Sequence, residues 1–260
     1  MIPVQNVFRP KTLGLLLSLL LGTAAAQVSI TGPRELDLQP GETRTVEYVL
    51  SNPGDAAVPA VVFMNDYMQQ PDGSLVHIPG KTLPGSFSRI ASADRLEYTI
   101  PAKGTVVVPV VVSMPKTPIG GYWGVVGVDI LNNPAGGGNN EVGFKIRYAM
   151  VTAVTVSGVT QHEVSIDNLT GQTRNGSTSI AVTLSNTGTA YERYALKLNI
   201  VDLQGKTVET QVSSVVLPGL TVDVNVPVPQ KLASGTYAVF ATLMYGGDQQ
   251  VEMAGSLEVP

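Results

Sequence analysis

The stretch TVEYVLSNPG, residues 45–54, decides the fold. Val46, Tyr48 and Leu50 alternate with Thr45, Glu47 and Val49, the period of two that sends successive side chains to opposite faces of a strand. Asn52-Pro53-Gly54 then closes it with turn residues. The pattern returns at SIAVTLSNTG, residues 179–188, with Ile180, Val182 and Leu184 in the apolar row. Each copy follows a turn led by glycine, Gly41 or Gly176. A second match comes later in the same order: PKTPIGGY (115–122) and PQKLASGTY (229–237). In both, a valine-rich strand precedes the proline. Tyr122 or Tyr237 opens the next strand, where sandwich folds tie a connection back to the core. Two matches in one order indicate a duplicated unit.

The remaining chain reads as strand. TVVVPVVVS (105–113), LKLNI (196–200) and TVDVNVPV (221–228) are β-branched or alternating, and Gly, Pro, Asn and Asp cluster between them. The fold class is therefore all-β, two sandwiches in tandem over 27–158 and 159–260. Asn52 to Tyr122 spans 70 residues and Asn186 to Tyr237 spans 51, so the first copy carries an insertion, placed within 65–98. NNPAGGGNN (132–140) reads as a flexible loop tip. Pro109 cannot donate to a ladder, which calls for an edge position or a bulge.

The chain has 260 residues and no cysteine. Arg9 and Lys11 precede the apolar run LGLLLSLLLG (13–22), and Ala24, Ala25 and Ala26 offer a cleavage site before Gln27. This is the pattern of an export signal, too short to span a bilayer. Without residues 1–26 the formal charge moves from −4 to −6, because they hold two basic residues and no acidic one. A mildly acidic surface disfavours nucleic acid and anionic membranes as partners. No later stretch is long and apolar enough for a membrane span. An exported chain without disulfides relies on its core alone, and this fits a bacterial envelope, periplasmic or extracellular.

Motifs for chemistry are absent. His77 and His162 are the two histidines, and HEVSI has Ile166 where a zinc motif needs its second histidine. GKT at 80–82 and 205–207 has Leu75 and Ile200 where a phosphate loop needs glycine. GGYWGVVG (120–127) lacks the turn-then-helix context of a dinucleotide site, and its glycines read as points of close approach. Asp66 and Asp72 lack the acidic spacing of a calcium loop and read as turn formers. Trp123, the single tryptophan, reads as sandwich core. The expectation is a protein with no enzymatic activity, no cofactor and no metal.

EVGFKIRYAMVTAVTV (141–156) has apolar residues at Val142, Phe144, Ile146, Tyr148 and Met150, with Lys145 and Arg147 on the other face. It is long for a strand. Such a run either closes its own sheet or offers an edge to another protein. Together with VSITGPREL (28–36), TVEYVLSN (45–52), YTIPAKGTVVVPVVVSMP (98–115) and GYWGVVGVDI (121–130), it resembles the PapD-like periplasmic pilus-assembly chaperones, built of two immunoglobulin-like domains. SNTGTAY (185–191) is similar to the family's asparagine-containing strand and turn. The resemblance implies that the last strand of the first domain fills a groove in a strand-deficient subunit with alternating side chains. Val142, Phe144, Ile146 and Tyr148 match that row. It also implies an arginine and a lysine that together hold the subunit's terminal carboxylate. Arg34 matches the first, and Lys145 the second, with Arg147 as the alternative register.

Two functions follow as expectations. One is a chaperone-like protein that binds envelope or pilus subunits by β-strand addition. The alternative is a structural or adhesive envelope module that binds a surface component through loops of the enlarged first domain.

Overall fold

The computed structural model describes residues 28–132, 144–174 and 176–260. The first sandwich contains β1 (Ser29–Thr31), β2 (Glu35–Leu38), β3 (Thr43–Asn52), β4 (Val58–Gln69), β5 (Leu75–Ile78), β6 (Ala91–Ala93), β7 (Glu97–Ile100), β8 (Gly104–Ser113), β9 (Tyr122–Asn132) and β10 (Phe144–Val156). One sheet runs β1-β3-β8-β6; the other runs β2-β10-β9-β4-β5, with β7 also on β4. The second sandwich contains β11 (Val164–Arg174), β12 (Ser177–Asn186), β13 (Glu192–Val201), β14 (Thr207–Val216), β15 (Thr221–Pro227), β16 (Gly235–Tyr245) and β17 (Gln249–Val259). Its sheets run β11-β12-β15 and β14-β13-β16-β17.

The alternation in the sequence becomes burial. Val46, Tyr48, Leu50 and Asn52 of β3 point inward, as do Thr178, Ile180, Val182, Leu184 and Asn186 of β12. Each fully buried large apolar side chain contributes about 1.5–3 kcal/mol. The apolar side chains form one core between Val28 and Val156 and another between Val164 and Val259.

The repeated asparagine has one job in both copies. Asn52 Nδ2 donates to the Ala56 and Pro101 carbonyls at 2.8 and 3.0 Å, and its Oδ1 accepts the Gly54 amide at 3.0 Å. Asn186 donates to the Ala190 and Val216 carbonyls at 2.9 and 3.0 Å and accepts the Gly188 amide at 3.0 Å. A buried amide that satisfies a turn and a neighbouring strand end explains why the motif recurs. The repeated tyrosine is less uniform. The Tyr237 hydroxyl donates to the Ala233 carbonyl at 2.9 Å, tying the connection as expected, whereas Tyr122 is buried in the first core.

Pro109 pairs with Glu47 in an unbroken register, so no bulge is needed. β6 flanks β8 only at Val110–Val112 and stops one residue short of the proline, which leaves that position locally at an edge.

The insertion is built of β5, a single helical turn at Phe87–Arg89, and β6. Buried Asp66 holds it: its carboxylate accepts the Thr82 and Leu83 amides at 2.8 and 3.0 Å and the Ser86 hydroxyl at 2.5 Å. Asp72 accepts the Ser74 amide at 2.9 Å in the β4–β5 turn. Both aspartates act as loop anchors.

Candidate functional site

β10 pairs with β9 along all but its last two residues, from Phe144↔Asn132 to Val154↔Tyr122. On its other side β2 joins it, in parallel, only at Ala153–Val156. Residues 144–152 therefore present an edge with no strand partner among the described residues.

The point where the edge opens is set by the start of the chain. β1 belongs to one sheet and β2 to the other, and the crossing runs through Gly32-Pro33-Arg34. A Cβ on Gly32 would lie 2.5 Å from the Tyr48 ring, so only glycine lets the backbone pass there. Thr152 Oγ1 donates to the Pro33 carbonyl at 3.1 Å and receives the Tyr48 hydroxyl at 2.9 Å. Burial pushes the Tyr48 hydroxyl pKa up to about 12, so it stays a proton donor at ordinary pH. The Ala153 amide then donates to the Arg34 carbonyl at 2.9 Å, and the β2 ladder begins.

Along this edge the apolar row emerges from the core. Val156, Val154, Thr152 and Met150 are buried, Tyr148 packs at the core margin, and Ile146 is 37% exposed. The row thus faces inward at its base and is uncovered at its tip. An open backbone beside an uncovered apolar row is what β-augmentation requires.

The other face carries charge that is already satisfied. Arg147 makes two hydrogen bonds to Asp129, at 2.7 and 2.8 Å, and Lys145 lies 2.6 Å from the same carboxylate. Arg147 also covers the Phe63 ring at 4.2 Å. The Arg147 hydrogen bonds, then Lys145, hold the Asp129 pKa below the ordinary carboxylate value. Arg34 is exposed at the base of the edge, beside Ala153. By the register it stands opposite Thr152, five residues down the strand from Arg147, about 17 Å at 3.3 Å per residue. The structure does not bring Arg34 together with Lys145 or Arg147. The β2–β10 register places the arginine at one end of the open edge and the two other cations near its opposite end, on Asp129. Val142 lies outside the described residues, and Phe144 is described through its backbone pairing with Asn132.

Trp123 departs from the expectation of sandwich core. With Tyr67, Val125 and Leu217 it forms a third apolar cluster that joins the two domains. β9 is buried on both faces: Val126 and Val128 face the first core, while Trp123 and Val125 face the second domain. The expected close approaches are there, since a Cβ on Gly127 would lie 2.3 Å from the Phe63 ring and one on Gly124 2.9 Å from Phe87. The insertion adds a clamp. Gln69 Nε2 donates to the Val215 carbonyl at 2.7 Å, its Oε1 accepts the Leu217 amide at 3.0 Å, and the Pro71 carbonyl accepts the Asp223 amide at 2.9 Å. Gly121 donates to the Thr189 carbonyl at 2.9 Å.

The two histidines are far from a shared site in sequence and in role. His77 is exposed on β5; His162 Nδ1 meets Glu192, whose other oxygen accepts the Gly246 amide at 3.1 Å. Burial raises the Glu192 pKa despite that partner. Among the described residues no group of three His, Cys, Asp or Glu side chains could hold a metal ion, and no helix is long and apolar enough to cross a membrane.

No protein-family model matches the sequence. No curated protein matches it at a significant level. Solved structures do. One chain of a chaperone–tip adhesin complex of CFA/I fimbriae biogenesis aligns over 88% of this chain and 98% of its own, at 13% identity and a TM-score of 0.50. The YadV chaperone aligns over 88% and 99%, at 12% identity and 0.49. The class 5 fimbriae chaperone CfaA aligns over 89% and 100%, at 13% identity and 0.48. At such identity the likeness is one of fold. In fold, two immunoglobulin-like β-sandwiches in tandem, the chain is similar to the PapD-like pilus chaperones.

Proposed function

We propose that the protein is an exported, non-enzymatic chaperone-like protein that binds envelope or pilus subunits by strand addition along residues 144–152 of β10. The observation that carries this is the half-open strand: β2 covers its last four residues and leaves the rest free beside an apolar row that outruns its own core. Ile146 and Tyr148 would enter pockets of the partner, while Lys145 and Arg147, held by Asp129, keep the opposite face wet and discourage uncontrolled pairing. Arg34 is the cation available at the base of the edge for a partner's carboxylate. The fold likeness supports the reading, since one similar chain comes from a chaperone–adhesin complex. The domains divide at 158/159, and the signal-like start of the sequence supports a periplasmic or cell-envelope location.

Capture from the envelope fraction of the producing bacterium tests the reading. The intact protein should retain exported proteins, and the amides of Lys145, Arg147, Ala149 and Val151, which point away from β9 as that of Ala153 does, should become protected from hydrogen exchange in the complex. Ile146→Asp, at an exposed position, should lose the capture while keeping its circular dichroism. Failure to capture any exported protein, or an unchanged set captured by folded Ile146→Asp, would show the reading to be wrong.

A further inference from the structure

Between the domains, on the β4 side of Trp123 and separated from the open β10 edge by β9, lies a cavity of about 370 Å³. Its walls come from Met68, Leu83, Ile119 and Trp123 of the first domain and Leu217 and Leu220 of the second. No charged residue lines it. Ile119 at the rim is 59% exposed, although the domains already bury a cluster immediately beside it.

The walls are fixed rather than loosely apposed. Gln69 holds the 215–217 strand end by two hydrogen bonds, and Gly121 holds Thr189 by one. Gly85 seats the Trp123 ring, because a Cβ there would come within 2.4 Å of it. Collapse of the gap would bury more apolar surface and be favoured by the hydrophobic effect, so the braces are what keep it open. Thr189 Oγ1 accepts the Gln161 amide at 2.9 Å, which leaves its own proton free to donate.

We infer that this cavity is a binding site for a small, uncharged, largely apolar molecule with one hydrogen-bond acceptor directed at the Thr189 hydroxyl. The volume falls within the range of small-molecule pockets, and apolar walls with a sparse polar group are their usual composition. A charged ligand would be desolvated there without a partner. The inference does not depend on strand addition at β10.

Trp123 is the single tryptophan of the chain, so its emission reports on this cavity alone. Titration with prodan, an uncharged naphthalene ketone, should give saturable one-to-one binding with energy transfer from Trp123. Ile119→Asp, at the exposed rim, should weaken binding about tenfold or more by placing a carboxylate at the mouth. Thr189→Val, which keeps the shape and removes the donor, should weaken it about 3- to 10-fold. Leu203→Asp, at a position 83% exposed on the second domain, should leave it unchanged. Non-saturable binding, binding without energy transfer, or equal affinity for the anionic dye anilinonaphthalene sulfonate would overturn the inference. So would undiminished binding by folded Ile119→Asp.

Discussion

The Tyr48 hydroxyl donates to the Thr152 hydroxyl at 2.9 Å inside the first sandwich, and Thr152 in turn donates to the Pro33 carbonyl at 3.1 Å. This chain joins β3 and β10 to the β1–β2 crossing at the place where the first segment changes sheets, and so fixes where β10 ceases to be covered. Thr152→Val would leave the fully buried Tyr48 hydroxyl without its acceptor and take a donor from the part-buried Pro33 carbonyl. The expected loss is about 2–4 kcal/mol in urea unfolding. Tyr48→Phe removes one bond and leaves Thr152 still paired with Pro33, so its loss should be about 1 kcal/mol. Equal losses in the two variants would contradict the proposed direction of the chain.

Asn52 and Asn186 should behave alike because their environments repeat. Conversion of either to Asp replaces a donor between two carbonyls by an acceptor, at positions 2% and 1% exposed. Each should cost about 2–4 kcal/mol. Asn52→Asp should lower the unfolding midpoint of the first domain and Asn186→Asp that of the second, read by hydrogen exchange resolved along the chain.

Gln69 is a first-domain side chain that completes the hydrogen bonding of second-domain backbone. Gln69→Glu removes the donor and sets a carboxylate oxygen against the Val215 carbonyl. Hydrogen exchange at the Leu217 amide should accelerate, and small-angle scattering should show a broader range of interdomain distances. Unchanged exchange would mean that the apolar cluster around Trp123 suffices to hold the domains.

Two carboxylates give stability opposite dependence on pH. Asp129 has its pKa lowered by Arg147 and then Lys145, so its contribution is present above the ordinary value of 3.8 and is lost as pH falls through the lowered one. Glu192 has its pKa raised by burial, so its contribution is present below the ordinary value of 4.5 and is lost as pH rises through the raised one. Urea midpoints from about pH 3 to about pH 7 should therefore rise more shallowly at the acid end in Asp129→Asn and fall less at the upper end in Glu192→Gln.

The strands were legible because a side-chain period of two is imposed by the backbone, and TVEYVLSNPG carries it without interruption. The repeat was legible for the same kind of reason: a buried asparagine serving a turn admits few substitutes. Trp123 was misplaced because periodicity does not say what covers the second face of a sheet. A signal was available, since residues 122–128 carry no charge at either parity, the mark of a strand covered on both faces. The open edge could be suspected from EVGFKIRYAM but not located. Its lower limit depends on the β2–β10 register, a contact between residues 35–38 and 153–156 that neither segment encodes by itself. The separation of Arg34 from Lys145 and Arg147 follows from that same register. The Arg147↔Asp129 cross-strand pair likewise requires knowing which residues of β9 and β10 stand opposite.

The parallel docking of β2 on the base of β10 also makes the uncovered edge a ruler. It starts at Arg34 and runs nine residues, from Thr152 back to Phe144, about 30 Å of extended chain at 3.3 Å per residue. Under the proposed strand addition, a segment laid along it would occupy the same row as β2 and meet Arg34 end-on. Its terminus would thereby be fixed, while any length beyond the span would overhang at the far end. The protein would then select its occupant by where the chain stops as much as by the side chains presented.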